Sequence, residues 1–215
     1  MEALLHKSAY VNKVILSKKA NRNAQLDDLL SLCEKHQIPY EYDDLTIDKL
    51  SVKENCYCIG FFDKFYDPLQ SEDHIVLYGF DDYGELGTIL RSAIAFNCTD
   101  IVLVNSDIDY FDPRCIRASM GSIFQCNIVT YEDLQAYEKV YLNQHIYPFV
   151  SKGTTEVSDL FLSSPYSLII PQEEKGLDGL YENGIYIDHE GDQGISLSIR
   201  SSIILEHVYD LKRRR

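Results

Sequence analysis

The chain reads as an α/β protein with a mostly parallel sheet, built in two parts, and three observations predict this. Apolar runs of strand length, such as "HIVLY" and "DIVLV", alternate with segments of helical periodicity. The 215 residues are 45% apolar with 11 glycines and 6 prolines, a composition that buries a core. The periodicity breaks at "YDPLQSED", where a proline and charges interrupt it. These features place a small α/β domain at 1–66, a linker at 67–73 and a second domain at 74–215.

In the first domain "YVNKVILS" predicts a strand. "NAQLDDLLSLCEKHQ" predicts a helix with Leu26, Leu29, Leu30 and Cys33 on its apolar face, closed by Pro39. "TIDKL" is a short second helix and "CYCIGFF" a second buried strand. In the second domain "HIVLY" is followed by "DDYGELG", read as a glycine turn, and by a helix from about Leu86 to Phe96. Asn97 stands where a helix ends in a left-handed residue. "DIVLV" is the next strand, "DPRCIRAS" a short helix, "CNIVTY" a strand and "YEDLQAYEKVYL" a helix. "YPFV" and "YSLIIP" are strands. "GIYID" precedes a last helix, "SLSIRSSIILEHVYDLKRRR", with Leu197, Ile203, Ile204 and Val208 as its apolar face. Such alternation predicts a sheet covered on both faces, with ligands beyond the carboxyl ends of its strands.

Composition excludes some chemistry. The six cysteines form no C-x-x-C pair and the six histidines no H-x-x-x-H or H-x-x-E pattern, so no metal site is expected. The start "MEALLHKSAYVNKVILSKKA" lacks the pattern of a signal peptide, and no apolar run approaches the ~18 residues of a membrane span. The predicted address is the cytoplasm. Net charge is −14, but residues 1–60 carry only −1 of it. Lys13, Lys18, Lys19 and Arg22 form a basic cluster near the start, and Lys212, Arg213, Arg214 and Arg215 form another at the end. An RNA footprint and a solvated face account for these equally well.

The segment "DDYGELGTILRSA" could be a dinucleotide loop, a phosphate loop, a nucleic-acid clamp or a tight connection. It carries neither G-x-G-x-x-G nor G-K-[ST], and a glutamate at its tip would repel a nucleic-acid backbone.

Four stretches in order, "ELGTILRSAIAF", "RASMGSIF", "LIIPQEEKGL" and "GISLSIRSSIILE", resemble the motifs of the SpoU-type (TrmH-like) RNA methyltransferases of the SPOUT superfamily. The resemblance covers about 74–210. It implies a C-terminal trefoil-knotted domain whose last helix threads a loop, a homodimer, and an S-adenosylmethionine pocket made by the knotted loops. Domain 1–66 resembles the small ribosomal-protein-like (L30e-like) module that often precedes it, which implies RNA binding through Lys13, Lys18, Lys19 and Arg22. The implied reaction is methyl transfer to a ribose 2′-hydroxyl of tRNA or rRNA.

Residue by residue, the resemblance gives Arg91 the central catalytic position. Its guanidinium stays charged, so it suits an RNA phosphate and a developing alkoxide better than proton abstraction. A surface or ion-paired arginine is the plain alternative. Ser196 takes the serine of the last motif, although an N-cap role explains it equally well. Cofactor contacts fall at Ile170, Pro171, Gln172, Glu173, Gly176, Ile187 and Leu197, with Gly121 allowing close packing. The chain departs from the pattern at the site itself. Glu85 replaces an asparagine and Tyr83 a proline, Pro171 and Glu174 replace glycines, Asp188 a proline, Ser198 an asparagine, and Arg200 a small residue. Glu85 thus either takes over the asparagine's catalytic place or marks its loss. The competing expectations are a non-catalytic relative that binds RNA or protein as a dimer, and an unrelated α/β enzyme.

Overall fold

The computed structural model describes residues 1–51, 55–173, 176–177, 179–181, 183–190 and 195–214. The chain falls into two compact units, Met1–Phe65 and Tyr66–Arg215.

The first unit runs α1 (Glu2–His6), β1 (Val11–Leu16), α2 (Ala24–Lys35), β2 (Tyr40–Tyr42), α3 (Asp44–Leu50) and β3 (Cys58–Phe62). Among the described residues its sheet has the order β2-β1-β3, with β2 parallel and β3 antiparallel to β1. Asn23 starts α2 by accepting the Leu26 amide, and Gln37, two residues past the end of the helix, takes a left-handed conformation. Leu29 and Cys33 pack on Val11, Val14 and Leu16, with Leu26 and Leu30 at the margin of this core. One expectation needs correction: β3 is not buried. Cys58, Gly60 and Phe61 are exposed, because the strand lies at the sheet edge with β1 on one side. An apolar run shows strand propensity but not what covers it. Strand β2, with all three residues exposed, has no apolar alternation to announce it.

The second unit runs β4 (His74–Tyr78), α4 (Tyr83–Ala95), β5 (Asp100–Val104), α5 (Pro113–Ala118), β6 (Asn127–Tyr131), α6 (Leu134–Val140), β7 (His145–Pro148), β8 (Thr155–Glu156), β9 (Tyr166–Pro171), β10 (Ile185–Tyr186) and α7 (Leu197–Arg213). Among the described residues β6-β5-β4-β9-β7 form one sheet, parallel at every pairing. The central strands β4, β5 and β9 are buried almost throughout, as a sheet covered on both faces requires. A short parallel pair, β8 with β10, adjoins β7 through the Phe149–Ile185 bridge.

Helix α4 begins three residues before the expected start. Asp82 accepts the Glu85 amide at 2.7 Å and caps it, so Gly84 and Gly87 are helical residues and not turn residues. The turn is made instead at Gly79, whose φ is +74°. Leu86, Ile89, Leu90 and Ala93 are fully buried, and each large one contributes about 1.5–3 kcal/mol of apolar burial. Gly87 faces α5 so closely that a Cβ there would lie 2.5 Å from Ala118 Cβ and 2.7 Å from the Cys115 carbonyl oxygen. Its role is helix contact. Asn97 has the expected left-handed conformation, with φ +56°. Helix α6 is shorter than its pattern suggested, and β7 starts two residues earlier. On α7 the buried face is Leu197, Arg200, Ser201, Ile204, Leu205 and Val208, whereas Ile203 is 38% exposed. A buried arginine and serine disguised that stripe.

At the amino ends of β4 and β9 lies a buried polar cluster. His74 Nε2 meets the Tyr137 hydroxyl at 2.6 Å, His74 Nδ1 lies 2.9 Å from the Glu72 carbonyl, and Ser167 joins Tyr137 and Gln144. Every one of these groups has a partner, as burial demands.

Two predictions arise here. Gly87→Ala overpacks the α4–α5 contact at a cost of about 1–3 kcal/mol, which exceeds the roughly 1 kcal/mol alanine gains in helix propensity. Denaturant unfolding is expected to show a lower midpoint, and a raised one would refute the contact. Burial pulls the His74 imidazole below its ordinary 6.5, against the Glu72 carbonyl and the charges of Asp100 and Asp73. The folded state then binds fewer protons than the unfolded chain. This stability is complete above the unfolded pKa and is lost as pH falls through the folded value. Unfolding free energy measured from about pH 7.5 to 5 should fall with acidity, and His74→Gln should flatten that part of the slope.

Candidate functional site

The site is assembled at the carboxyl ends of β4, β9 and β7. Pairing of β4 with β9 sets Leu77 opposite Ile170 and Tyr78 opposite Pro171. Immediately beyond, the Gln172 amide donates to the Tyr78 carbonyl at 2.9 Å. The Gln172 side chain then crosses to the next segment: its Oε1 accepts the Asp81 amide at 2.7 Å and its Nε2 donates to the Asp81 carboxylate. The loop after β9 is thereby tied to the entry of α4, whose next residue, Asp82, is the helix cap. On the other side of that entry Arg114 covers the Tyr83 ring at 4.0 Å while its Nε and Nη2 donate to Asp112 at 2.9 and 3.0 Å.

Helix α7 reaches the same place through Arg200. This guanidinium is 4% exposed, lies 5.3 Å from the centroid of Phe149 just beyond β7, and donates from Nη2 to the Gln172 carbonyl at 3.4 Å. Val150 in turn donates to Ile185 of β10 at 3.0 Å. The ends of β7, β9 and β10 and the start of α7 therefore converge. A cavity of about 190 Å³ opens beside them, lined by Pro148, Thr155, Leu160, Phe161, Gly184 and Ile185.

The expected cofactor residues lie on these segments. Ile170 and Pro171 end β9 and are buried, Glu173 is exposed, Ile187 follows β10 half-buried, and Leu197 opens α7 and is 4% exposed. Gly176 donates to the Glu173 carbonyl at 2.9 Å, and a Cβ at 176 would sit 3.1 Å from that oxygen and 3.2 Å from Pro171 Cβ. Asp188 is exposed and Ser198 half-buried, and Glu174 lies outside the described residues. Gly121 takes φ +84° at the start of a 3-10 turn, a conformation glycine adopts without strain.

Of the three expected catalytic residues, Ser196 occupies the N-cap position of α7, but its exposed side chain makes no capping bond. Glu85 and Arg91 share α4 and point apart. Six residues at 100° each separate them by roughly 120° around the axis. Arg91 is exposed and makes no hydrogen bond or ion pair among the described residues. Glu85 lies seven residues before Ser92, on the side of α4 from which the Ser92 Oγ meets Ser202 Oγ of α7 at 3.1 Å. Burial and then Asp82 push the Glu85 carboxyl above its ordinary range, while Arg200 pulls it down. The cation whose charge reaches Glu85 is thus Arg200, although no ion pair joins them among the described residues. Sequence reasoning noted Arg200 as a departure without assigning it a place. Its spacing from Leu197 and Ile204 on the buried stripe was the available signal.

In the first unit Lys13 pairs with Glu41 at 2.6 Å and Arg22 with Asp27 at 2.9 Å, whereas Lys18 and Lys19 are exposed with no ion pair among the described residues. At the other end Lys212 lies 3.6 Å from Asp73 and Arg214 pairs with Asp210; Arg215 is outside the described residues. None of the six cysteines is in a disulfide. No helix among the described residues is long and apolar enough to cross a membrane.

The model of the SpoU rRNA methylase family matches residues 73–185. The chain is 28% identical over 127 residues to mitochondrial rRNA methyltransferase 3 of Xenopus tropicalis, which is 49% of this chain and 31% of that protein. It is 26% identical over 190 residues to the 23S rRNA (uridine(2479)-2′-O)-methyltransferase of Streptomyces viridochromogenes, 81% of this chain and 60% of that one. The chain thus spans less than two thirds of the length of either relative. Among solved structures, the S-adenosylmethionine-bound rRNA methyltransferase of Sinorhizobium meliloti superimposes with a TM-score of 0.77 at 20% identity, over 100% of this chain and 85% of that chain. The SpoU methyltransferase AviRb of Streptomyces viridochromogenes, also with the cofactor, gives 0.76 at 18% identity over 99% and 86%. At such identities the likeness is one of fold.

Proposed function

We infer the function from one premise: the chain belongs to the SpoU rRNA methylase family. The reading it supports best is an RNA methyltransferase that moves a methyl group from S-adenosylmethionine to a ribose 2′-hydroxyl of tRNA or rRNA. The observation that carries it is Arg91, exposed and uncommitted among the described residues, on a helix whose entry is tied to the loop after β9.

Several features fit the cofactor. Gly176 keeps the loop after β9 close-packed where a side chain would intrude, and Ile170, Ile187 and Leu197 supply apolar surface on the converging segments. When bound, the cofactor supplies a methyl group already activated by the sulfonium charge. The protein then has to orient the acceptor and accept a proton. In this reading Arg91 holds an RNA phosphate and steadies the developing alkoxide, and the Ser196 hydroxyl hydrogen-bonds beside it. Glu85 is suited to take the proton because burial raises its affinity for one.

The knot is part of the proposal. Its support is the strand order: after β7 has been laid at the edge, β9 enters between β7 and β4, and α7 then returns against α4. The ribosomal-protein-like character of domain 1–66 draws on the full-length superposition. Exposed Ile199 and Ile203, one turn apart on α7, support a homodimer. The proposed site of action is the cytoplasm, whereas the relative from Xenopus tropicalis is named as mitochondrial. A second reading, a non-catalytic dimer that binds RNA or protein, draws on the loop after β9. There Pro171 has no N–H, and the Gln172 amide and carbonyl are both engaged.

Calorimetry with S-adenosylmethionine and a methyl-transfer assay test the first reading together. Arg91→Ala is expected to abolish transfer while leaving cofactor affinity within a few-fold; an equally active variant would remove its role. RNA affinity is expected to fall steeply with salt. Replacing Lys13, Lys18, Lys19 and Arg22 by alanine should reduce the slope of log affinity against log salt by up to about 3–4. An unchanged slope would place the RNA elsewhere.

A further inference from the structure

Helix α4 meets α5 along a row of residues at intervals of four. Tyr83, Gly87 and Arg91 lie within roughly 80° of arc on one side of α4. The first carries Arg114 of α5, whose guanidinium carbon is 4.0 Å from the centre of the Tyr83 ring. The second closes on Ala118, four residues further along α5, where a Cβ on Gly87 would lie 2.5 Å from Ala118 Cβ. Residue numbers rise together along this contact, so α4 and α5 run parallel. At the third step α5 has already ended, at Ala118, and Arg91 is exposed. Tyr83 and Arg91 are separated by a rise of roughly 12 Å along the helix axis. Arg117 and Met120, at the end of α5, are also exposed.

Arg114 differs from an ordinary surface arginine in being fixed. Its Nε and Nη2 donate to the two carboxylate oxygens of Asp112 at 2.9 and 3.0 Å, and Tyr83 covers one side of the guanidinium. Asp112 is itself held, because its Oδ1 also accepts the Arg114 amide at 2.8 Å. The Arg114 side chain nevertheless stays 61% exposed. What it offers to solvent is the outer face of a planar cation that has already lost its rotamer freedom, a surface on which an unpaired nucleobase stacks. Phosphate suits this place less well. The charge of Arg114 is answered by Asp112, and the exposed Asp81 and Asp82 immediately precede Tyr83. Arg91 is the reverse, exposed and with no carboxylate partner among the described residues. We propose that Arg114, backed by Tyr83 and fixed by Asp112, is a stacking platform for one unpaired base of the RNA, roughly three or four stacked nucleotide steps from the phosphate that Arg91 holds. Arg114 is the binding residue of this platform, and Tyr83 and Asp112 are its positioning residues. Tyr83 stands where the resemblance expects a proline, which has no aromatic face to carry the cation, so the platform is a feature of this chain rather than of the motif.

This inference rests on the RNA reading above. The experiment titrates the whole chain with two probes, single-stranded oligoadenylate and base-free polyphosphate, over a range of salt, for the wild type and for Arg114→Ala, Arg114→Lys, Tyr83→Ala and Tyr83→Phe. Arg114→Ala and Tyr83→Ala are expected to weaken oligoadenylate binding roughly 5- to 100-fold, the loss of one stacked base. Polyphosphate binding should stay within about twofold and the slope of log affinity against log salt should not change, because no phosphate contact is lost. Arg114→Lys keeps the charge without the plane and should bind like the alanine variant, whereas Tyr83→Phe keeps the ring and should bind like the wild type. Unchanged oligoadenylate affinity in Arg114→Ala, a lysine variant as good as arginine, or equal weakening toward both probes with a slope lower by about 1 would overturn the platform. If Arg114→Ala fails to fold, Arg114→Lys decides by the same criteria. A wild type that binds neither probe removes the RNA reading and the platform with it. Binding that every variant retains removes the platform alone. Variants that lose oligoadenylate in a protein that takes no S-adenosylmethionine leave the platform standing and remove the methyl-donor reading.

Discussion

Insertion of β9 between β4 and β7 is the constraint on which the site depends. Parallel strands cannot be joined by a tight turn, so each connection must cross the sheet and return. The chain therefore reaches Gln172 only 91 residues after Asp81, yet the β4–β9 register sets the two side by side. Once they are paired, the Gln172 amide, carbonyl and side chain each have a partner: Tyr78, Arg200 and Asp81. The start of α4, the loop after β9 and the start of α7 become one unit. Helix α4 is held in that unit by a second close contact, the approach of Gly87 to α5, which fixes how far the helix can slide.

Charge then divides the site. The guanidinium of Arg200 is buried against Phe149 and the Gln172 carbonyl, while Arg91 on α4 is exposed to solvent. A buried cation in water-poor surroundings demands counter-charge and hydrogen bonds, whereas an exposed one is free to exchange water for phosphate. The acidic balance of the second unit does not conflict with RNA binding on this view. Single cations in defined places count for more than the net sum, and Lys18 and Lys19 offer further positive charge on the first unit.

Much of the fold was legible in the sequence because its central strands are continuous apolar runs and its main helices carry a clear apolar stripe. "HIVLY", "DIVLV" and "YSLIIP" are strands at the expected places. Where the pattern failed, tertiary packing had overruled it. Glycines usually signal a turn, so Gly84 and Gly87 hid the first turn of α4, which the Asp82 cap and the α5 contact make helical. "CYCIGFF" looked buried because its composition suits a core, but its position at an edge decided otherwise. The strand β8 is too short to show any period. At the candidate site, the motifs pointed to Arg91, Ser196 and the loop after β9. They could not show that Arg200 would be buried against Phe149 and the Gln172 carbonyl, because that depends on how α7 packs at the ends of β7 and β9 rather than on spacing along the helix.

The most direct test of the account is a crystal structure of the protein with S-adenosylmethionine soaked in. The expected result is a ligand held by the backbone from Ile170 to Glu173 and by Ile187 and Leu197, with α7 threaded through a loop and Arg200 still against Phe149 and the Gln172 carbonyl. A cleft that stays empty at saturating cofactor, or an α7 that lies outside any loop, would contradict it.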